Sequence, residues 1–296
     1  MTNSITKTSI QDQIRQEVTD TIIAQLEAGT VPWHNQWTTN IPVLTLPKNE
    51  TTGNYYKGIN ILLLWCSALK NKYTTNEWGS FKQWSAKNEM IKKGEQGNTI
   101  IFYDTFDKEI DGEIQKIPVI KRYKVFNKCQ LASYEYKPAP IPEYSESLIE
   151  KLDPVDEFIQ NTAACIEHSG YEAYYEPSRD LINMPFPELF VTNPTCTATE
   201  GYYSTLLHEL THWTGAKHRR DRFKDGSVDY AKEELVAELG AAFMCASFEI
   251  ATLEKGSHAT YIEKYLKMLK EDNQAIFKAA SEASKAFDYL MSLQPE

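Results

Sequence analysis

The chain has 296 residues, 42% of them hydrophobic, and a formal net charge of −10, which allows two domains of ordinary size. Its longest apolar run, residues 59–69, is interrupted by Asn60 and Ser67, which excludes a helical membrane span. Five scattered cysteines with no CxxC pair exclude a disulfide framework and a Cys-zinc site; with no basic-then-apolar leader at the N-terminus, a cytoplasmic protein is expected.

In chain order, Ile10, Ile14, Val18, Ile22 and Leu26 form one stripe at i+4 spacing, with Ser9 and Asp12 as a capping box and Gly29 and Pro32 as the stop. This is a helix. Residues 58–70 and 76–88 read as two more, the second carrying Trp78, Phe81 and Trp84 as a core stripe. Then "NTIIFYDTF" and "IPVIKRYKVF" flank a turn at "DKEIDGE", a β-hairpin. The three alternating prolines of "YKPAPIPEYSES" make an extended connector. It divides a first domain, 1–137, from a second, 149–296, with 138–148 as linker. The second half reads as a helix over 153–170, a strand pair over 172–185, and helices near 199–214, 230–250, 258–271 and 273–291. The fold class is α+β: an α+β first domain, then a mainly helical one with a small sheet.

Charge divides at the same place. Residues 1–137 hold 17 Lys and Arg against 14 Asp and Glu, a net of +3, and residues 138–296 hold 14 against 27, a net of −13. The overall value hides two halves of opposite sign.

The segment "LLHELTHWTGAKHRRDR" (206–222) places His208 and His212 one turn apart on a helix face, with Glu209 beside them. Two neutral imidazoles aimed at one point suit zinc or a similar divalent ion such as manganese, and Glu209 is placed to take a proton from an attacking water. A third ligand must come from elsewhere. The apolar helix "YAKEELVAELGAAFMCASFE" (230–249) carries Glu234 and Glu238 on one face, with Glu233 pointing away. Buried carboxylates there need a compensating cation. The strand "RDLINMP" is a candidate edge for an extended substrate. Tyr202, Tyr203, Tyr230, His218 and "HRRDR" are either oxyanion electrophiles or ordinary surface groups.

The layout resembles the gluzincin metallopeptidases. Matched residue by residue, the resemblance makes Glu234 the third ligand and Glu238 the acid that orients a ligand histidine, exchange of the two roles being the alternative.

The first half interleaves aromatic and basic residues, as a binder of single strands needs. Five of the six tryptophans lie there (33, 37, 65, 78 and 84). "GNYYKGIN" presents Tyr55, Tyr56 and Lys57 on a turn, and "IKKGEQGN" presents Lys92 and Lys93 on a Lys-Gly loop. The stretches at 47–65, 77–103 and 124–131 resemble the single-stranded-DNA-binding domain of the ArdC antirestriction family. Those at 174–185, 202–222 and 230–243 resemble that family's zincin-like domain, and similar domains accompany TraC-type primases of conjugative plasmids. The resemblance implies an antirestriction protein of plasmid conjugation that binds single-stranded DNA, with restriction-enzyme subunits or other proteins as peptidase targets. It leaves open a binding-only protein, and a protease directed to DNA-bound proteins.

Overall fold

The computed structural model describes residues 9–34, 45–110, 113–135, 149–192, 196–223, 229–252 and 258–295. The expected linker at 138–148 and Trp37 lie outside them. The fold is mixed α+β.

Helix α1 (Ile10–Glu27) begins where its cap dictates: the Ser9 hydroxyl accepts the Asp12 amide at 3.1 Å and donates to the Asp12 carboxylate. Gly29, at φ +78°, ends it, since glycine alone takes that left-handed turn without strain. Helix α2 (Ile59–Asn71) packs on α1 and on the long hairpin. Strands β1 (Lys48–Asn49), β2 (Glu77–Gly79), β3 (Asn98–Ile110) and β4 (Glu113–Asn127) form a sheet in the order β1-β2-β4-β3.

The chain departs from the helix expected over 76–88. Trp78 lies on β2 opposite Asn127, and helix α3 (Phe81–Ala86) starts only after Ser80, whose reciprocal capping with Gln83 fixes that point. Trp78 and Trp84 are buried, but Phe81 is exposed, so the three share no stripe. The hairpin register runs out to Ile110 opposite Glu113, so both strands extend into the segment expected as turn.

The helix expected over 153–170 is α4 (Asp153–Asn161) followed by a strand, β5 (Cys165–His168). The Thr162 hydroxyl donates to the Ile159 carbonyl at 2.6 Å and accepts the Ala164 amide at 3.2 Å, while Ala163 takes φ +54° and turns the chain. Strands β6 (Tyr174–Glu176) and β7 (Leu181–Met184) complete a second sheet, ordered β5-β7-β6. The expected edge strand, β7, is therefore central and paired on both sides; the edges are β5 and β6.

Helices α5 (Ala198–Trp213), α6 (Tyr230–Ser247), α7 (His258–Glu271) and α8 (Ala275–Ser292) follow. Apolar nearly all round, α6 is buried on both flanks, as such a helix must be. Its Leu235, Leu239 and Phe243 join Ile14, Ile22 and Trp65 of the first half and Tyr265 and Ile276 of the last helices in one core. Its Ala241, Met244 and Cys245 join Leu206, Leu207, Leu210, Phe158 and Ile182 in a second. The first core thus draws on chain from both sides of the expected linker.

Candidate metal centre

Helix α5 starts at Thr197, whose hydroxyl accepts the Glu200 amide while Glu200 accepts the Thr197 amide. His208 and His212, one turn apart, stand edge to face at 4.9 Å. Helix α6 lays Glu234 before both: its two oxygens lie 3.7 Å from His208 Nε2 and 3.3 Å from His212 Nε2. Donor atoms of these three residues all fall within 4.8 Å of one another, the one such group among the described residues.

Each ring also meets a carboxylate on its other nitrogen. His208 Nδ1 lies 3.8 Å from Glu238, and His212 Nδ1 donates to Glu233 at 3.2 Å. Glu233, expected to point away, does not. It stands about 100° from Glu234 around α6, and the width of the His212 imidazole spans that difference. Arg222 grips Glu233 in a fork, Nη2 to Oε1 at 2.8 Å and Nε to Oε2 at 3.1 Å, and also donates to the Thr211 carbonyl and the Thr214 hydroxyl.

These contacts sort the oxyanion candidates. Arg222 is committed to Glu233. Arg219 is buried against the Trp213 ring at 3.6 Å and paired with Asp180, and His218 lies 3.4 Å from the same carboxylate. Tyr202 bonds His168 and Tyr203 bonds Asp156. Tyr230 alone of these stands at the centre: it hydrogen-bonds Glu234, and the charge of Glu209 reaches it. Glu209 itself is buried on α5 beside the pair.

Electrostatically the centre is short of positive charge. Burial opposes a charged His212, but the hydrogen bonds it donates to Glu233 and Glu234 and the charge of Glu209 outweigh it, and its pKa is pushed up to about 9. Burial likewise works against the ionised forms of Glu233 and Glu234, yet both are held below the usual carboxylate range, chiefly by His212, with Arg222 helping Glu233 and Tyr230 and Lys264 helping Glu234. Two imidazoles and a carboxylate converging, with further carboxylates behind both rings, are a donor set suited to a divalent ion.

The expected DNA residues are spread over separate loops. Tyr55 is exposed under the Lys48 ammonium, and Tyr56 is half-buried with its hydroxyl on Asn49. Lys57 pairs with Asp288 at 2.7 Å, Lys92 donates to the Cys129 carbonyl, and Lys93 is exposed. Phe102 and Tyr123 on β3 and β4 are exposed, edge to face at 6.2 Å, with Lys121 opposite Phe102. The two rings belong to the aromatic set of the first half but not to the turn and loop expected to meet DNA, and Arg222, the last residue of "HRRDR", is a partner of Glu233 rather than an oxyanion group. The alternation along the hairpin signals the placement of the two rings; nothing local signals the pairing of Arg222 with Glu233.

An HExxH helix crossed by a second helix that carries the facing glutamate defines a zincin-like domain. Residues 153–282 match the zincin-like metallopeptidase family, and residues 12–126 match the N-terminal domain of anti-restriction factor ArdC. The crystal structure of the antirestriction protein ArdC from plasmid R388, metal-free, superposes with a TM-score of 0.79 at 36% identity, covering 95% of this chain and 97% of that one. Its Mn(II)-bound form gives 0.76 at the same identity and coverage. The uncharacterized protein y4eC of Sinorhizobium fredii is 34% identical over 96% of this chain and 93% of its own length. DNA primase TraC of Escherichia coli is 30% identical over 96% of this chain, which spans 28% of that primase. The chain belongs to the ArdC antirestriction family.

Proposed function

We propose that this protein binds single-stranded DNA through its first half, holds a divalent ion at His208, His212 and Glu234, and hydrolyses peptide bonds there, acting against restriction during conjugative transfer. The observation that carries the reading is the convergence of those three donors beside a buried Glu209. A metal site serving structure alone has no need of that carboxylate. A bound zinc or manganese ion supplies Lewis acidity toward a carbonyl and lowers the pKa of a water. Glu209 holds the proton that water gives up. Tyr230 directs its hydroxyl at the developing oxyanion. Glu238 and Glu233 orient the two rings.

For DNA, the exposed Phe102 and Tyr123 rings with Lys121 form a stacking surface, and Tyr55 and Lys93 supply further contacts. The similarity to the R388 protein, at 36% identity over nearly the whole chain, supports the antirestriction role.

The test is a comparison of wild type and Glu209→Gln for metal content and for cleavage of restriction-enzyme subunits, with and without oligonucleotide. Equal metal with cleavage lost in the variant is expected. Cleavage undiminished in Glu209→Gln would refute Glu209 as the base, and no cleavage by wild type would refute the peptidase assignment and leave a binding-only protein.

A further inference from the structure

The segment after α1 belongs to the first half of the chain, yet its last described residues reach the metal centre. A backbone bond from the His34 amide to the Val31 carbonyl, 3.0 Å, turns it inward. Trp33, 1% exposed, and His34, 6% exposed, then enter between α6 and α7. Trp33 Nε1 donates to the Tyr261 hydroxyl at 2.9 Å, and Tyr261 in turn hydrogen-bonds Glu238. His34 lies against the Tyr261 ring at 4.8 Å, with Nε2 3.4 Å from Glu238 Oε2. The other oxygen of Glu238 faces His208 Nδ1. One carboxylate on α6 thus joins an imidazole of the first half to a ligand imidazole of the second.

Behind it lies a cavity of about 10 Å³ lined by His34, Thr205, His208 and Glu238 among others, the room one water needs. Two of its lining residues carry a buried polar atom without a partner among the described residues, His34 Nδ1 and Thr205 Oγ1. With Nε2–H spent on a carboxylate, a neutral His34 leaves Nδ1 as an acceptor that a water there can satisfy.

We propose that His34 is a positioning residue of the metal centre, holding Glu238 so that Glu238 fixes the orientation of His208. The proposal rests on the divalent-ion reading above. It makes the ion site a product of both halves: whatever displaces residues 30–34 loosens the carboxylate that faces a ligand ring.

The test uses the full chain and Co²⁺ as probe, reading affinity by chelator competition and ligand geometry by the visible absorption of the bound ion. Partners of metal ligands typically change affinity 10–100-fold, so Glu238→Ala should weaken binding by about that much and His34→Ala by about 10-fold, each altering the absorption bands. His34→Gln, whose amide can donate where Nε2–H does, should restore both. Val125→Ala, in the separate core of the four-stranded sheet, should lower the melting temperature and leave affinity and spectrum unchanged. If wild type binds Co²⁺ and His34→Ala binds it equally well with the same spectrum, the inference falls while the metal site stands. A wild-type chain that takes up no ion overturns both. A spectrum that shifts as much in Val125→Ala as in His34→Ala reduces the effect to general destabilisation and also overturns it.

Discussion

Gly240 of α6 sits so tightly against Thr211 of α5 that a Cβ there would come within 2.5 Å of the threonine methyl and 2.6 Å of its hydroxyl. Thr211 is fully buried and bonded to the Leu207 carbonyl at 2.9 Å, so it has nowhere to retreat. This contact sets the separation of the two helices that carry His208, His212 and Glu234. Gly240→Ala should therefore force them apart, costing about 1–3 kcal/mol as overpacking does, and weakening the ion site. Chemical denaturation with a parallel metal titration checks both. Unchanged metal affinity in a destabilised variant would show that the ligands tolerate the spacing.

The ranking of the glutamates is a sharper test. Glu234 faces both Nε2 atoms, whereas of the two rings on α5 Glu238 meets only His208, at Nδ1. Glu234→Ala should reduce metal binding far more than the 10–100-fold expected of Glu238→Ala, and His208→Ala with His212→Ala should abolish it. The reverse order of the two glutamates, measured by competition with a chelator, would exchange their roles.

Acidity gives a third prediction. In the metal-free chain the pKa of His212 rises from 6.5 to about 9. Its stabilising contribution is complete below about pH 6.5 and is lost as pH climbs through 9. Glu233 and Glu234 are lowered from 4.5, so theirs is present above that value and fades as pH falls toward their folded pKa values. Melting of the metal-free chain should thus weaken on both sides of the interval between those limits. A divalent ion competes with the His212 proton, so its affinity should rise with pH up to about 9. Calorimetry in buffers of different ionisation heat should count close to one proton released per ion at neutral pH. An affinity that stays flat over this range would contradict the protonated ring.

Arg222 and Glu233 are a buried ion pair, their side chains 6% and 9% exposed. Arg222→Ala leaves Glu233 charged with His212 as its remaining partner, and should cost about 3–5 kcal/mol, as breaking a buried pair does. Replacing both, Arg222→Met with Glu233→Leu, should cost less than the single change, because no charge is stranded. A double variant less stable than Arg222→Ala would show that the pair contributes net stability.

For DNA, Phe102→Ala with Tyr123→Ala should cost on the order of 2–6 kcal/mol of single-strand affinity, at about 1–3 per stacked base. Affinity should fall by about 0.7 log units per phosphate contact for each log unit of salt. Both rings are exposed, so the fold should survive, and a melting curve verifies it. If the double variant binds normally while Tyr55→Ala with Tyr56→Ala does not, the contact lies on the "GNYYKGIN" turn instead.

Local signals carried the sequence reading a long way. The Ser9 cap, the i+4 stripe of α1 and the i+4 pair His208 and His212 depend on neighbours within a turn, and they are legible for that reason. Trp78 misled because an apolar residue three before Phe81 and six before Trp84 looks helical until β4 arrives to pair with it. The end of α4 was hidden because Thr162 leaves the helix by a side-chain bond that any mid-helix threonine could make. Glu233 was misplaced because helix phase alone ignores the width of an imidazole ring. His34 and Arg222 reach α6 from outside it, 204 and 11 residues from their glutamates, and no periodicity announces a contact of that kind.

Helix α6 has a bearing on how such chains can recombine. A crossover within the proline-rich stretch 138–148 would give one parent's α6 to another parent's α1 and α2, and Leu239 and Phe243 would have to fit unfamiliar counterparts of Ile22 and Trp65. The hybrid would inherit His208, His212 and Glu234 and still lack the interior that aligns them. Exchange between related genes is therefore expected to move both halves together, and the similarity to the two E. coli TraC primases, which runs over 96% and 94% of this chain, spans both halves in each.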